Sequence, residues 1–161
     1  LSGHLINSNV SEYIFCFYAI ALQNSTNLGL FRLCVQNSNT ATVLDANRTG
    51  VYVDFEWQTD GVKPTFSIFN NNVSSSVLLN YPLSTNTLYA VRIRISNTFC
   101  ELLINNVLIH SFNNIVNNSL PVFAPIQQSV GLTKTTGTAG VTYLMDVLAA
   151  RNLVNVNNYN F

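Results

Sequence analysis

The sequence predicts an all-β chain folded as a two-sheet antiparallel β-sandwich of the jelly-roll type. Three observations lead there. Apolar residues alternate with polar ones at a period of two through most of the chain. Gly, Asn and Pro punctuate that alternation at the even spacing typical of many short strands. No stretch carries the 3.6-residue period of a long helix. At 161 residues the chain is long enough for one domain, burying roughly 70% of its unfolded surface. Residues 1–152 read as that domain, and the Asn-rich residues 153–161 read as a tail ordered by a neighbouring chain.

The first strand, 13–22, is the longest apolar run in the chain, and far short of a membrane span. The second, 28–36, follows a short polar connection, Gln23 to Asn27. If that connection is a hairpin, facing residues sum to 50 and Cys16 stands opposite Cys34. Three cysteines exclude a fully paired framework. A bridge between Cys16 and Cys34 is one reading; reduced thiols are the expectation, since cross-strand neighbours rarely meet disulfide geometry.

The third strand, 50–57, puts Val53, Phe55 and Trp57 inside and leaves Tyr52, Asp54 and Glu56 on the wet face. Strands at 64–70 and 76–81 follow. Next comes a meander, 88–96, 99–104 and 107–112. Asn105-Asn106 suits a two-residue type I′ turn because Asn tolerates positive φ. That turn makes facing residues sum to 211; a tight turn at Asn97-Thr98 makes the preceding pair sum to 195. Val91, Ile93, Ile95, Leu102, Ile104, Val107 and Ile109 then share one apolar face. On the other face Glu101 sits between Arg94 and His110, as a charge ladder. Strands at 127–133 and 140–151 close the chain.

Lys plus Arg and Asp plus Glu both number 7, so the net charge is zero. Without a basic stripe, neither nucleic acid nor an anionic membrane is an expected partner. Only 9% of residues are charged, against roughly 25% in ordinary soluble domains. Polarity comes from 24 Asn, 14 Ser and 14 Thr. Such a surface hydrogen-bonds without charge, as sugar-binding faces and tightly assembled shells do. An AT-rich genome would also enrich Asn. Five Asn-x-Ser/Thr sites, at Asn9, Asn24, Asn47, Asn72 and Asn117, are about what this composition gives by chance. The only Met is Met145, so the chain reads as a segment or processed product.

Several segments resemble the concanavalin-like sandwich in that family's order. "VYVDFEW" is similar to the V-x-V-E-F-D strand of legume-type lectins, and "KPTFSIFNNNVSS" to the strand after it. "SVGLTKTTG" resembles the V-G-F-S-A-x-T-G strand and turn, and "VTYLMDVLAAR" the closing strand. The meander resembles the laminin-G-like version. The resemblance implies that Asp54 and Glu56 stand at the positions of metal ligands, with Asp60 in the loop after them. That loop is shorter than the family's, and Phe66 stands where a ligand His is expected. We therefore expect no metal, since calcium wants six to eight oxygens. No other cofactor is expected.

An enzyme is disfavoured by the residues. Laminarinase-like hydrolases of this fold carry E-x-D-x-x-E, and the corresponding positions here read Tyr52, Asp54 and Trp57. No Ser or Cys sits in a nucleophile context. His110 beside Glu101 reads as surface charge before it reads as a base and its orienting acid. The expected binding residues are Tyr52, Asp54, Glu56 and Gln58, with Asn70, Asn71 and Asn72 from the following turn. The expected function is a non-catalytic, lectin-like surface module at a virion surface or outside the cell. It would be a fibre, spike or capsid decoration, homo-oligomeric or joined to other virion proteins, that binds glycans or a host surface. A purely architectural role and a glycan-active hydrolase or lyase are the alternatives.

Overall fold

The computed structural model describes residues 10–37, 49–70, 73–96, 98–113 and 126–153. Among these residues ten strands run β1 (Val10–Ala21), β2 (Gly29–Asn37), β3 (Gly50–Gln58), β4 (Gly61–Asn70) and β5 (Val73–Leu78), then β6 (Thr87–Ile95), β7 (Phe99–Ile104), β8 (Val107–Asn113), β9 (Ile126–Lys134) and β10 (Thr142–Leu153). They form two antiparallel five-stranded sheets, ordered β10-β1-β6-β7-β8 and β5-β4-β3-β2-β9. The two-sheet sandwich expected from the sequence is thus the fold, and each expected strand has its counterpart. Among the described residues no helix is long and apolar enough to cross a membrane.

The core is made by alternation. Tyr13, Phe15, Phe17 and Ala19 of β1 face Phe31, Leu33 and Val35 of β2 and Val51, Val53 and Phe55 of β3. Phe17 meets Phe31 edge-on with ring centroids 4.9 Å apart and Phe55 at 5.6 Å. Tyr143 of β10 stacks on Phe31 at 4.0 Å. Such a cluster joins large apolar area to favourable ring geometry. Trp57 packs partly buried against it, as its parity predicts.

That contact also corrects the β1–β2 hairpin. β1 lies between β10 and β6, while β2 lies between β3 and β9, so the two strands belong to opposite sheets. Cys16 faces Ala90 and Val147; Cys34 faces Tyr52 and Ser129. All three cysteines are free. Two apolar strand faces gain more by closing on each other across the sandwich than by lying side by side. The segment between them is accordingly an arch. The Asn24 side chain accepts hydrogen bonds from the amides of Thr26 and Asn27, and Gln23 donates to the Phe55 carbonyl at 3.1 Å.

The meander follows the expected registers in part. Val91, Ile93 and Ile95 pair with Ile104, Leu102 and Cys100, the sum of 195. Asn105 and Asn106 both take positive φ, at 50° and 67°. Ile104 and Leu103 pair with Val107 and Leu108, the sum of 211, after which β8 slips by one residue. Leu102 now faces His110, and Glu101 faces Ser111. The slip turns Phe112 inward in place of Ser111, where it stacks on Phe66 at 5.2 Å, with His110 edge-on to Phe112 at 4.7 Å. A bulge that trades a hydroxyl for a ring in the core is readily stabilised.

Two expectations fall here. The slip takes His110 out of the ladder with Glu101, and Val107, although it keeps its expected partner Ile104, is exposed beside the Asn105-Asn106 turn instead of buried. Arg94 does approach Glu101, at 3.9 Å, but its stronger partner is Glu12 at 3.0 Å, which Arg151 also binds. Those two guanidinium groups outweigh the burial of Glu12, which opposes ionisation, and hold its carboxyl below the usual range.

β5 also differs from expectation, running from Val73 to Leu78 instead of 76–81. Its Ser-rich start reads as loop by composition, yet Ser74 to Ser76 pair in register with Phe69 to Ser67. Leu79 and Leu83 instead donate their amides to Pro64 and Val62, a return along β4 outside the strand.

Candidate functional site

The candidate site is the outer face of the β5-β4-β3-β2-β9 sheet. Its frame is the β3–β4 hairpin, closed at Thr59-Asp60 with Gly61 at φ 137°, a region that glycine alone enters freely. This closure sets Asp54 opposite Thr65, Glu56 opposite Lys63 and Tyr52 opposite Ser67. On the far side Ser67 faces Ser76, and Thr65 faces Leu78. On the near side Asp54 faces Arg32, and Tyr52 faces Cys34. Residues directly opposite point to one side of a sheet, so these side chains form a single patch.

Its centre is an ion pair. Arg32 donates through Nε and Nη2 to both oxygens of Asp54, each at 2.6 Å, the two-pronged geometry that suits guanidinium to carboxylate. The side chains are 7% and 16% exposed. Burial works against the charge on Arg32, and Asp54 overrules it, holding the guanidinium more firmly protonated than usual. Arg32 also lies 4.8 Å over the Tyr52 ring, whose hydroxyl donates to Gln36 at 3.4 Å.

Glu56 differs. It is exposed and has no ion-pair partner among the described residues, since Lys63 opposite it binds Asp60 at 2.7 Å. Partial burial, then the neighbouring Asp54 charge, raise its carboxyl above the ordinary range, with Arg32 pulling the other way. Leu30 and Lys63 stand directly opposite it, and the same face continues through the half-exposed hydroxyls of Thr65 and Ser67 to the exposed Ser76 (2.7 Å from Ser67) and the exposed apolar Leu78. One free carboxylate, neutral hydroxyls and an apolar platform suit a polyhydroxylated ligand: hydroxyls outward, C–H face on Leu78.

Of the residues singled out in the sequence, Tyr52, Asp54 and Glu56 do share this face. Tyr52 is only 3% exposed, so it supports Arg32 from beneath the surface and is not an open contact. Gln58 lies half-buried at the hairpin end, opposite Gly61. Asn70 ends β4, paired through its backbone with Val73; Asn71 and Asn72 lie outside the described residues. Sequence reasoning missed Arg32, Lys63, Thr65, Ser67, Ser76 and Leu78. The signal for the β4 residues was present: a two-residue turn at Thr59-Asp60 fixes their pairing with β3. Arg32 carried none while β2 was assigned beside β1.

No metal centre assembles from these acids. Among the described residues no three His, Cys, Asp or Glu side chains gather as a cluster. Both oxygens of Asp54 face Arg32, and Asp60 is held by Lys63. Millimolar calcium should therefore leave the melting temperature unchanged, whereas a native-state ligand raises it. A clear rise that Asp54→Asn abolishes would contradict this.

No family model matches this sequence, and neither does any curated protein. Solved structures do resemble the fold. A human galectin-16 variant is similar over 93% of this chain and 92% of its own, with 11% identity and a TM-score of 0.59. The carbohydrate-binding module CBM66 from Bacillus subtilis is similar over 88% of this chain and 74% of its own, with 15% identity and a TM-score of 0.51. An alginate lyase from Pseudomonas aeruginosa is similar over 91% of this chain and 66% of its own, with 9% identity and a TM-score of 0.59. The fold is the concanavalin-like β-sandwich. It is shared by lectin-like binding modules and by lyases, so the fold alone does not choose between binding and catalysis.

Proposed function

We propose that this domain is a glycan-binding module that holds its ligand on the β5-β4-β3-β2-β9 face without altering it. The observation that carries the reading is Glu56: an exposed carboxylate without an ion-pair partner among the described residues, on the sheet face that also carries Thr65, Ser67 and Ser76, and next along β3 to the Arg32–Asp54 pair. A carboxylate accepts hydrogen bonds from two vicinal hydroxyls, and the neighbouring hydroxyls both donate and accept. The likeness to galectins and to a carbohydrate-binding module supports the same class of ligand.

Catalysis is the weaker reading, although alginate lyases share the fold. A proton-abstracting residue has to reach the substrate. On this face Glu56 can reach a ligand but has no second acid or base free beside it: Tyr52 is buried, Asp54 is locked to Arg32, Lys63 is held by Asp60, and His110 lies against Phe66 and Phe112 on the inner side of the other sheet.

The setting we propose is a virion surface, as part of a fibre, spike or capsid decoration, where many copies act together. The low charge, the neutral polar surface and the Asn-rich tail support it. A single shallow sugar site commonly binds near the millimolar range, about −4 kcal/mol. Repetition on one particle raises avidity by about 10²–10⁴ without any new contact. A glycan array probed with multimerised domain tests this. Binding that is lost on Glu56→Ala, with the melting temperature retained, is the expected result. Shortened glycan would favour the lyase or hydrolase, and no binding to any glycan or host cell would favour a purely architectural part.

A further inference from the structure

β4 carries an aromatic side chain that the core does not use. Phe66 and Ile68 of this strand are buried, whereas Phe69 is half-buried and stands outside the buried cluster. Its partners across the sheet are Gly50 on β3 and Ser74 on β5, and alternation puts it on the outer face with Thr65 and Ser67. Among the described residues it meets no other aromatic ring. Gly50 sets no side chain beside one flank of the ring, and none would fit there. A Cβ would stand 2.8 Å from the Val35 carbonyl oxygen and 2.9 Å from the Gln36 Cβ.

The ring also ends a pattern. Along β4 and β5 the outer face reads Lys63, then Thr65 with Leu78, then Ser67 with Ser76, then Phe69 with Ser74. Two apolar platforms are thus separated by hydroxyls, and Leu78, Ser76 and Ser74 are exposed. Each hydroxyl both donates and accepts. The C–H face of a sugar can pack on such platforms while its hydroxyls turn to the polar groups between them. Beyond Lys63, which Asp60 holds, the strip carries no charged side chain.

We propose that the bound glycan is a straight chain of several sugars laid along β4 and β5, from Glu56 at one end to Phe69 at the other. This ligand class rests on the glycan reading above and narrows it. Lys63, opposite Glu56, and Phe69 are separated by about 20 Å of strand, at about 3.3 Å per residue. A single sugar ring covers a fraction of that length, so one terminal sugar does not use both ends. Phe69 is then a specificity residue: it rewards a chain long enough to reach it and adds nothing to the binding of one sugar at Glu56. Because the strip between the ends is neutral, the gain with length should be insensitive to salt, which screens only charge.

Calorimetric titration of the full chain with cello- and chito-oligosaccharides, whose equatorially linked rings make straight chains, tests it. Each series runs from the monosaccharide to the hexasaccharide. Native affinity should climb with length until the chain spans the strip, then level off. Phe69→Ala should weaken the hexasaccharide roughly tenfold, as loss of an aromatic anchor commonly does, and leave the monosaccharide as it was. Phe69→Tyr keeps the ring and should follow the native series. The native series needs no variant, so it decides the matter even if Phe69→Ala does not fold. Equal affinity for monosaccharide and hexasaccharide, or a hexasaccharide indifferent to Phe69→Ala in a folded protein, overturns the chain along β4. Binding of branched or terminal sugars on the glycan array, with neither series bound, also overturns it and leaves the glycan reading standing. No binding to any glycan overturns both.

Discussion

Replacing Ile93 by Asp should leave the chain without a cooperative folded state. Ile93 is fully buried in the middle of β6, between Tyr13 on β1 and Leu102 on β7. Removing a buried Ile side chain costs about 2–5 kcal/mol. An unpaired carboxylate in the same place adds about 3–5 kcal/mol, and protonating it only exchanges that penalty for an unsatisfied polar group. Typical domains are stable by about 5–15 kcal/mol, so the change consumes most or all of the margin. Leu88→Asp, near the start of the same strand on its outer face, where Leu88 is 55% exposed, is the control. It should alter stability by no more than about 0.5 kcal/mol. Thermal melts followed by far-ultraviolet circular dichroism separate the outcomes; a native-like melt for Ile93→Asp would mean that β6 does not line the core.

The parity that makes this prediction was legible in the sequence, and so was nearly every strand. Alternation reports which face a residue takes, because the side-chain period of a strand is two. It does not report which strand lies beside which. Gln23 to Asn27 looked like a hairpin loop because it is short and polar, yet it carries the chain from one sheet to the other, and with it went the supposed meeting of Cys16 and Cys34. The β8 bulge was equally hidden: "VLIHSF" supports two registers, and only the presence of Phe66 across the sandwich decides for Phe112 inside. The candidate site was read in half. Asp54 and Glu56 announced themselves as acids on a strand, whereas Arg32 became their neighbour only through a sheet order that local pattern does not contain.

Breaking the Arg32–Asp54 pair should be costly in a way that replacing it is not. Asp54→Ala leaves the guanidinium of Arg32, 7% exposed, without its carboxylate. Removing one partner of a buried pair typically costs about 3–5 kcal/mol, because the remaining charge has lost both water and counter-ion. Arg32→Ala should cost less, since Asp54 is somewhat more exposed and can draw in solvent. The double replacement Arg32→Met/Asp54→Leu keeps the volume and removes both charges, and should return to within about 1–2 kcal/mol of the native stability. The two single costs would then be strongly non-additive, as expected for groups in direct contact. Urea melts of the four proteins complete the cycle. The same proteins also divide structure from function: the double variant should fold yet bind the glycan that the native domain selects only weakly, because Glu56 has lost the charged brace beside it. Additive single costs would mean that the pair is too well hydrated to act as a unit, and full binding by the double variant would move the ligand away from this face.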